Sequence, residues 1–285
     1  MKNEEQFLAE LMCGINDDIV EILEEVMEHE GKIHTHDEVA VLLLEMLTEN
    51  GVAISDGHQF EITKAAKESF KKVYTEEFKK ERKIQFKLHV CFDMAYDLYA
   101  IVPLSVLTKI YNKVADEKLS EEEVMKEVKK NKSVMQNFAI MDNEFIDHEL
   151  LQDKSTYNHI RNDQRGKGHY IPTKREVDFF FQTMELDIDK HVEKLIDFLF
   201  AKVAGDSERE YIFASIMEVR ELIRSGAQMQ DVMDSLGEEI LDLLDEDDLT
   251  VFFDLLNNMW NNTRMISNAG FTPMELSRTR TTPMS

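Results

Sequence analysis

Apolar residues recur at three- and four-residue spacing along most of the chain, and residues that would break such a pattern are scarce. Only four Pro and ten Gly occur among 285 residues. A β-sandwich or barrel needs many more turns than these can supply, so the fold read from the sequence is mainly α. Hydrophobic residues make up 43% and charged residues 32%, compatible with a packed core under a heavily charged surface. Two cysteines, Cys13 and Cys91, are too few for a disulfide framework or a multi-cysteine zinc site. No apolar run approaches the length of a membrane span, and the opening residues do not resemble a secretion signal. The expectation is a cytoplasmic protein without a membrane partner.

The formal net charge is −24, and it is unevenly distributed. Residues 1–61 hold two Lys against sixteen acids, and residues 176–254 hold six cations against 22 acids. Between them, residues 62–175 are mildly basic, with 22 cations against 18 acids. The chain as a whole should repel a phosphate backbone. Only the middle block could be an exception.

Periodicity divides the chain further. Leu8, Leu11, Met12, Ile15, Ile19, Ile22, Leu23 and Val26 share one face of what reads as a single long helix ending at Gly31. A second helix runs from about His36 to Asn50-Gly51. Val52, Ile54, Phe60 and Ile62 then flank Asp56-Gly57, a pair suited to a two-residue type I′ hairpin turn. This makes residues 1–63 an acidic winged-helix-like unit, followed by a basic helical connector over 64–88. The order repeats over 89–152. A stripe from Leu88 to Val102 is followed by a helix starting at Pro103, and Ser120–Glu123 forms a capping box. A hairpin over 138–147 turns at Asp142-Asn143, giving a second winged-helix-like unit.

Residues 153–172 lack apolar periodicity and carry Gly166 and Gly168, so they read as a basic loop or linker. Thr173–Glu176 is a capping box opening a C-terminal helical bundle over 173–276. Within it, Ile188 to Val203 share one face, Ser207–Glu210 has the spacing of another cap, and helices over 229–244 and 249–260 follow. Thr272-Pro273-Met274-Glu275 starts a last short helix, and 277–285 reads as a flexible tail.

Three short words carry a family resemblance. They are Tyr99–Lys113 (YAIVPLSVLTKIYNK), Tyr170–Thr173 (YIPT), and Asn262-Thr-Arg264 with Asn268–Leu276 (NAGFTPMEL). Over roughly residues 90–276 the chain resembles a group of uncharacterised proteins from low-GC Gram-positive bacteria and their mobile elements. Some members end in a SecA-type zinc motif, which is absent here, so the resemblance implies no metal. Nor does it imply an activity.

Few residues point to chemistry. His29, His34 and His36 lie near carboxylates, but such residues are ordinary at an exposed helix end, and no metal or cofactor is expected. Cys91 lies on an inward stripe and reads as a core residue, and Cys13 has no neighbour in sequence that would activate a thiol. Asp245–Asp248 lacks calcium-loop spacing and reads as a helix cap. No phosphate loop, dinucleotide fingerprint or nucleophile elbow is present.

A winged-helix-like unit raises the question of DNA. The helix over 36–49 offers Asp37, Glu38, Glu45 and Glu49 and no Lys or Arg, and the hairpin tip Ser55–His58 is not basic. The first unit should not read DNA. In the second, Lys126, Lys129, Lys130 and Lys132 are opposed by Glu121, Glu122, Glu123 and Glu127. The remaining candidates for a nucleic-acid surface are Lys154, Arg161, Arg165, Lys167, Lys174 and Arg175, interleaved with Tyr157, His159, His169 and Tyr170. The preferred reading is that these cations pair with the two acidic blocks of the same chain. Function then reads as a non-enzymatic regulatory or adaptor protein acting through an unknown protein partner. The alternatives are a transcription-related nucleic-acid binder or an acidic DNA mimic that inhibits a nucleic-acid enzyme.

Overall fold

The computed structural model describes residues 3–57, 59–186 and 189–280. His58, at the first hairpin tip, and Ile188, assigned to a helical face, lie outside the described residues. The chain divides into two compact units, one of residues 1–89 with 126–131, the other of 90–125 with 132–285. Most of it is helical, with two small antiparallel sheets. Among the described residues no helix is long and apolar enough to cross a membrane.

The first unit begins with α1 (Glu4–Gly14), α2 (Asp17–Glu28) and β1 (Lys32–Ile33). Then come α3 (Glu38–Glu49), β2 (Ala53–Ser55), β3 (Phe60–Ile62), α4 (Lys64–Val73) and the first part of α5 (Glu76–Tyr99). The long helix expected over 8–26 is broken, because the Asn16 side chain accepts from the Ile19 N–H and caps a new helix. Arg82, only 2% exposed, donates to the carbonyls of Met12 and Ile15 and pairs with Asp17. It thereby satisfies carbonyls left open at the end of α1. Strand order is β1-β3-β2. At the first hairpin tip the Asp56 N–H donates to the Gln59 carbonyl at 3.2 Å, the Asp56 carboxylate accepts from the Gln59 N–H, and Gly57 supplies a φ of +91°. Leu8, Leu23, Leu44, Leu47 and Val52 form the core, joined by Ala66 and Phe70 of α4. Residues 64–73 are therefore part of the packed unit, not only a connection.

In the second unit, Ala100 in the left-handed region turns the chain from α5 into β4 (Ile101–Pro103). α6 (Leu104–Val114) starts one residue after Pro103, which is its N-cap. The first part of α7 (Glu121–Val128), whose residues from 126 on belong to the first unit, then α8 (Lys132–Asn137), β5 (Phe138–Met141) and β6 (Glu144–Asp147) follow, and the strand order is β4-β6-β5. Asp142 and Asn143 both have positive φ, as the type I′ turn requires. Phe92 packs edge-on against Phe138 and Phe145, fixing this sheet to the end of α5.

The segment 153–172, expected as a loop, is helical over most of its length. α9 (His148–Gln152) leads into α10 (Lys154–Gln164), capped by Asp153 accepting from the N–H groups of Ser155 and Thr156. Only 165–173 is irregular. Next come α11 (Lys174–Thr183), α12 (Lys190–Phe200), α13 (Asp206–Ser225), α14 (Met229–Leu241), α15 (Glu246–Asn262) and α16 (Pro273–Arg280). α13 starts before the expected cap, with Gly205 rather than Ser207 as its N-cap. α12 to α15 enclose a core of Leu195, Leu199, Ile216, Val219, Leu236 and Phe252.

Candidate functional site

Two of the helix starts legible in sequence meet at one arginine in the second unit. At the start of α11, Glu176 Oε2 accepts from the N–H and hydroxyl of Thr173, each at 2.7 Å, and from the Tyr170 hydroxyl at 2.7 Å. At the start of α16, Glu275 Oε2 accepts from the Thr272 N–H at 3.0 Å, and Thr272 Oγ1 accepts from the Glu275 N–H. Each is a capping box. Arg264 lies between them, donating to Glu176 at 3.0 Å, to Glu275 at 3.1 Å and to the Gly270 carbonyl at 3.1 Å. Its guanidinium is 3.4 Å from the centre of the Tyr170 ring.

The surrounding loop is locked to this arginine from several directions. Tyr99 donates its hydroxyl to the Tyr170 carbonyl, and the Tyr170 N–H donates to Ala269 at 3.0 Å. Gln164 bridges the carbonyls of Tyr99 and Ile266, at 2.9 and 2.8 Å. Lys113 donates to the Pro172 carbonyl. The words that carry the family resemblance thus lie together in space. Beside them is a hollow of about 290 Å³, lined by Tyr170, Glu176, Arg264 and Glu275 together with Arg220, Arg224, Met94 and Leu98.

Three groups of the site are shifted from their ordinary titration. Burial pushes the Glu176 carboxyl up, but hydrogen bonds from Tyr170 and Thr173 and the charge of Arg264 outweigh it, so it stays below the usual range. Burial and the bond to Glu176 hold the Tyr170 phenol well above its usual range, and burial, against the opposing charge of Arg264, does the same for Tyr99.

Asp97 differs. It lies on α5, where burial raises its carboxyl to about 6 although Arg224 opposes the shift. The unfolded carboxyl titrates near 3.8, so the folded protein holds the proton more tightly. Stability is then lost as pH rises from about 4 through 6. Asp97→Asn is expected to add about 2 kcal/mol at pH 7.5 and almost nothing near pH 4. The backbone carbonyl of residue 97, which accepts from Arg224 at 2.7 Å, survives the change. Urea unfolding at the two pH values checks this. A loss of stability at pH 7.5 would contradict it.

Of the six basic candidates, three have partners within their own unit. Arg161 pairs with Glu144 and its Nε donates to the Tyr157 hydroxyl. Lys167 donates to the Ser267 carbonyl and to Asn268 Oδ1, each at 2.9 Å, and Lys174 pairs with Asp178 at 2.7 Å. Lys154, Arg165 and Arg175 are exposed, on α10, at its C-cap and on α11. In the first unit the basic segment is spent similarly, with Lys72 on Glu5, Lys83 on Asp17 and Lys130 on Glu81. Among the described residues no group of three or more His, Cys, Asp or Glu is placed to share a metal ion. Cys91 is buried, and burial raises the Cys13 thiol to about 11.

Sequence reasoning missed Arg264 as a centre. The available signal was the pair of Thr-x-x-Glu boxes, each with an N3 glutamate able to accept a further donor. No family model, no curated protein and no solved structure matches this chain.

Proposed function

We propose that this chain is a non-enzymatic regulatory or adaptor protein that works by binding another protein. One observation carries the reading: cations a nucleic acid would use are engaged within their own unit, as in Arg161–Glu144, Lys174–Asp178 and Lys72–Glu5, and Lys167 donates to Ser267 and Asn268. Cations already paired with carboxylates release fewer counterions and gain less from phosphate. We read both sheets, each with helices preceding its hairpin, as winged-helix-like units used for docking protein. We propose kinship with the mobile-element proteins that residues 90–276 resemble, a kinship that names no target.

The competing reading is nucleic-acid binding through Lys154, Arg165 and Arg175. Fluorescence anisotropy with labelled duplex and single-stranded DNA separates the two. The expected result is no saturable binding at low salt, and no change when the three residues are replaced by Ala. Binding whose salt slope falls on that replacement, by about 0.9 per lost duplex phosphate contact, would replace the adaptor reading with the nucleic-acid one.

A further inference from the structure

The outward face of α3 carries more than a solvated helix needs. Ala40, Leu43, Leu44 and Leu47 are buried in the core of the first unit. At 100° per residue the opposite face presents Glu38, Leu42, Glu45 and Glu49, flanked by exposed Val39 and by Met46, which is half-buried against the core. Leu42 is 65% exposed and Val39 44%. Single exposed leucines need no explanation. Here, however, apolar side chains repeat along one stripe, with a carboxylate within a turn of each. No Lys or Arg occurs from residue 33 to residue 63.

We infer that this face of α3 docks a basic amphipathic helix of a partner protein. The partner's apolar residues cover Val39, Leu42 and Met46, and its Lys or Arg residues meet Glu38, Glu45 and Glu49. A stripe repeating at three and four residues matches the same spacing on a facing helix. Charge selects among occupants. A nucleic-acid backbone or an anionic lipid surface is repelled by the three carboxylates, and a second copy of this face would set the same acids against one another. The inference rests on the adaptor reading and names the chemistry of its partner.

The test uses the full chain and a labelled Leu/Lys peptide of about five helical turns, amphipathic in one version and scrambled in the other. The amphipathic peptide should bind one to one and saturably, and the scrambled one at least about tenfold more weakly, since only the first presents a continuous apolar face. Leu42→Ala should weaken binding by about tenfold without changing the melting temperature, because the side chain is mostly exposed. Glu45→Gln with Glu49→Gln should weaken it several-fold and flatten its salt dependence. Equal binding of the two peptides, or unchanged affinity of Leu42→Ala, would overturn the inference. Capture from a nuclease-treated lysate separates this from the broader reading. A partner held equally by wild type and Leu42→Ala removes α3 as the docking face and leaves the adaptor standing. Peptide binding that fails together with an empty capture removes both.

Discussion

Replacing Arg264 with alanine should lower the unfolding free energy of the second unit by about 2–3 kcal/mol. The residue is the shared partner of Glu176 and Glu275, and its loss leaves two partly buried carboxylates facing an empty site. Breaking a fully buried pair costs about 3–5 kcal/mol. The side chains here keep between 22% and 37% of their exposure, so solvent screening reduces the figure. Loss of the contact with the Tyr170 ring adds a further fraction. The triple variant Arg264→Met, Glu176→Gln, Glu275→Gln should lose less than the single one, because glutamine at N3 can still complete each capping box. Urea unfolding of the two variants decides the matter. A triple variant weaker than the single one would mean that the arginine contributes by shape and not by holding the two carboxylates.

Gly270→Ala should be comparably damaging, for a different reason. Gly270 has a φ of +83°, and a Cβ there would sit 2.7 Å from Tyr99 Cε1 and 3.3 Å from Tyr170 Cβ. The backbone term costs about 1 kcal/mol, and forcing apart a packed ring that anchors the Tyr170 carbonyl adds about 1–3 kcal/mol. Gly226 provides the comparison. It has a φ of +90°, but its nearest neighbour, Ser267 Oγ, is 3.7 Å away. Gly226→Ala should therefore show the backbone cost alone. Thermal melts giving equal losses for the two variants would contradict the close approach of Tyr99 to the 265–271 turn.

What the sequence revealed and what it hid divide along physical lines. The boxes at Thr173–Glu176, Ser120–Glu123 and Thr272–Glu275 were legible because a cap is made within four residues. The Asp142-Asn143 turn was legible because two consecutive left-handed positions favour those residue types. α10 was not, since its sequence has no apolar stripe. It is held at its ends, by Asp153 at the start and by Gln164 bridging two carbonyls at the finish. β1 and β4, of two and three residues, exist only through their pairing with β3 and β6 and leave no periodic trace. The break between α1 and α2 was masked by an apolar pattern that runs across it. Arg264 and Glu176 are 88 residues apart, and no local pattern joins them. Of the basic residues singled out, Lys72 and Lys174 meet acids of the two acidic blocks, whereas Arg161 meets Glu144 of the middle block, a pairing that no local pattern announces.

The adaptor account meets its most direct test in affinity capture of the full chain from a nuclease-treated native lysate, followed by native mass measurement of what is retained. The predicted result is one protein held in fixed stoichiometry, unaffected by nuclease and unaffected by replacing Lys154, Arg165 and Arg175 with Ala. Recovery of nucleic acid from the untreated lysate, with nothing retained once nuclease is added, would contradict it.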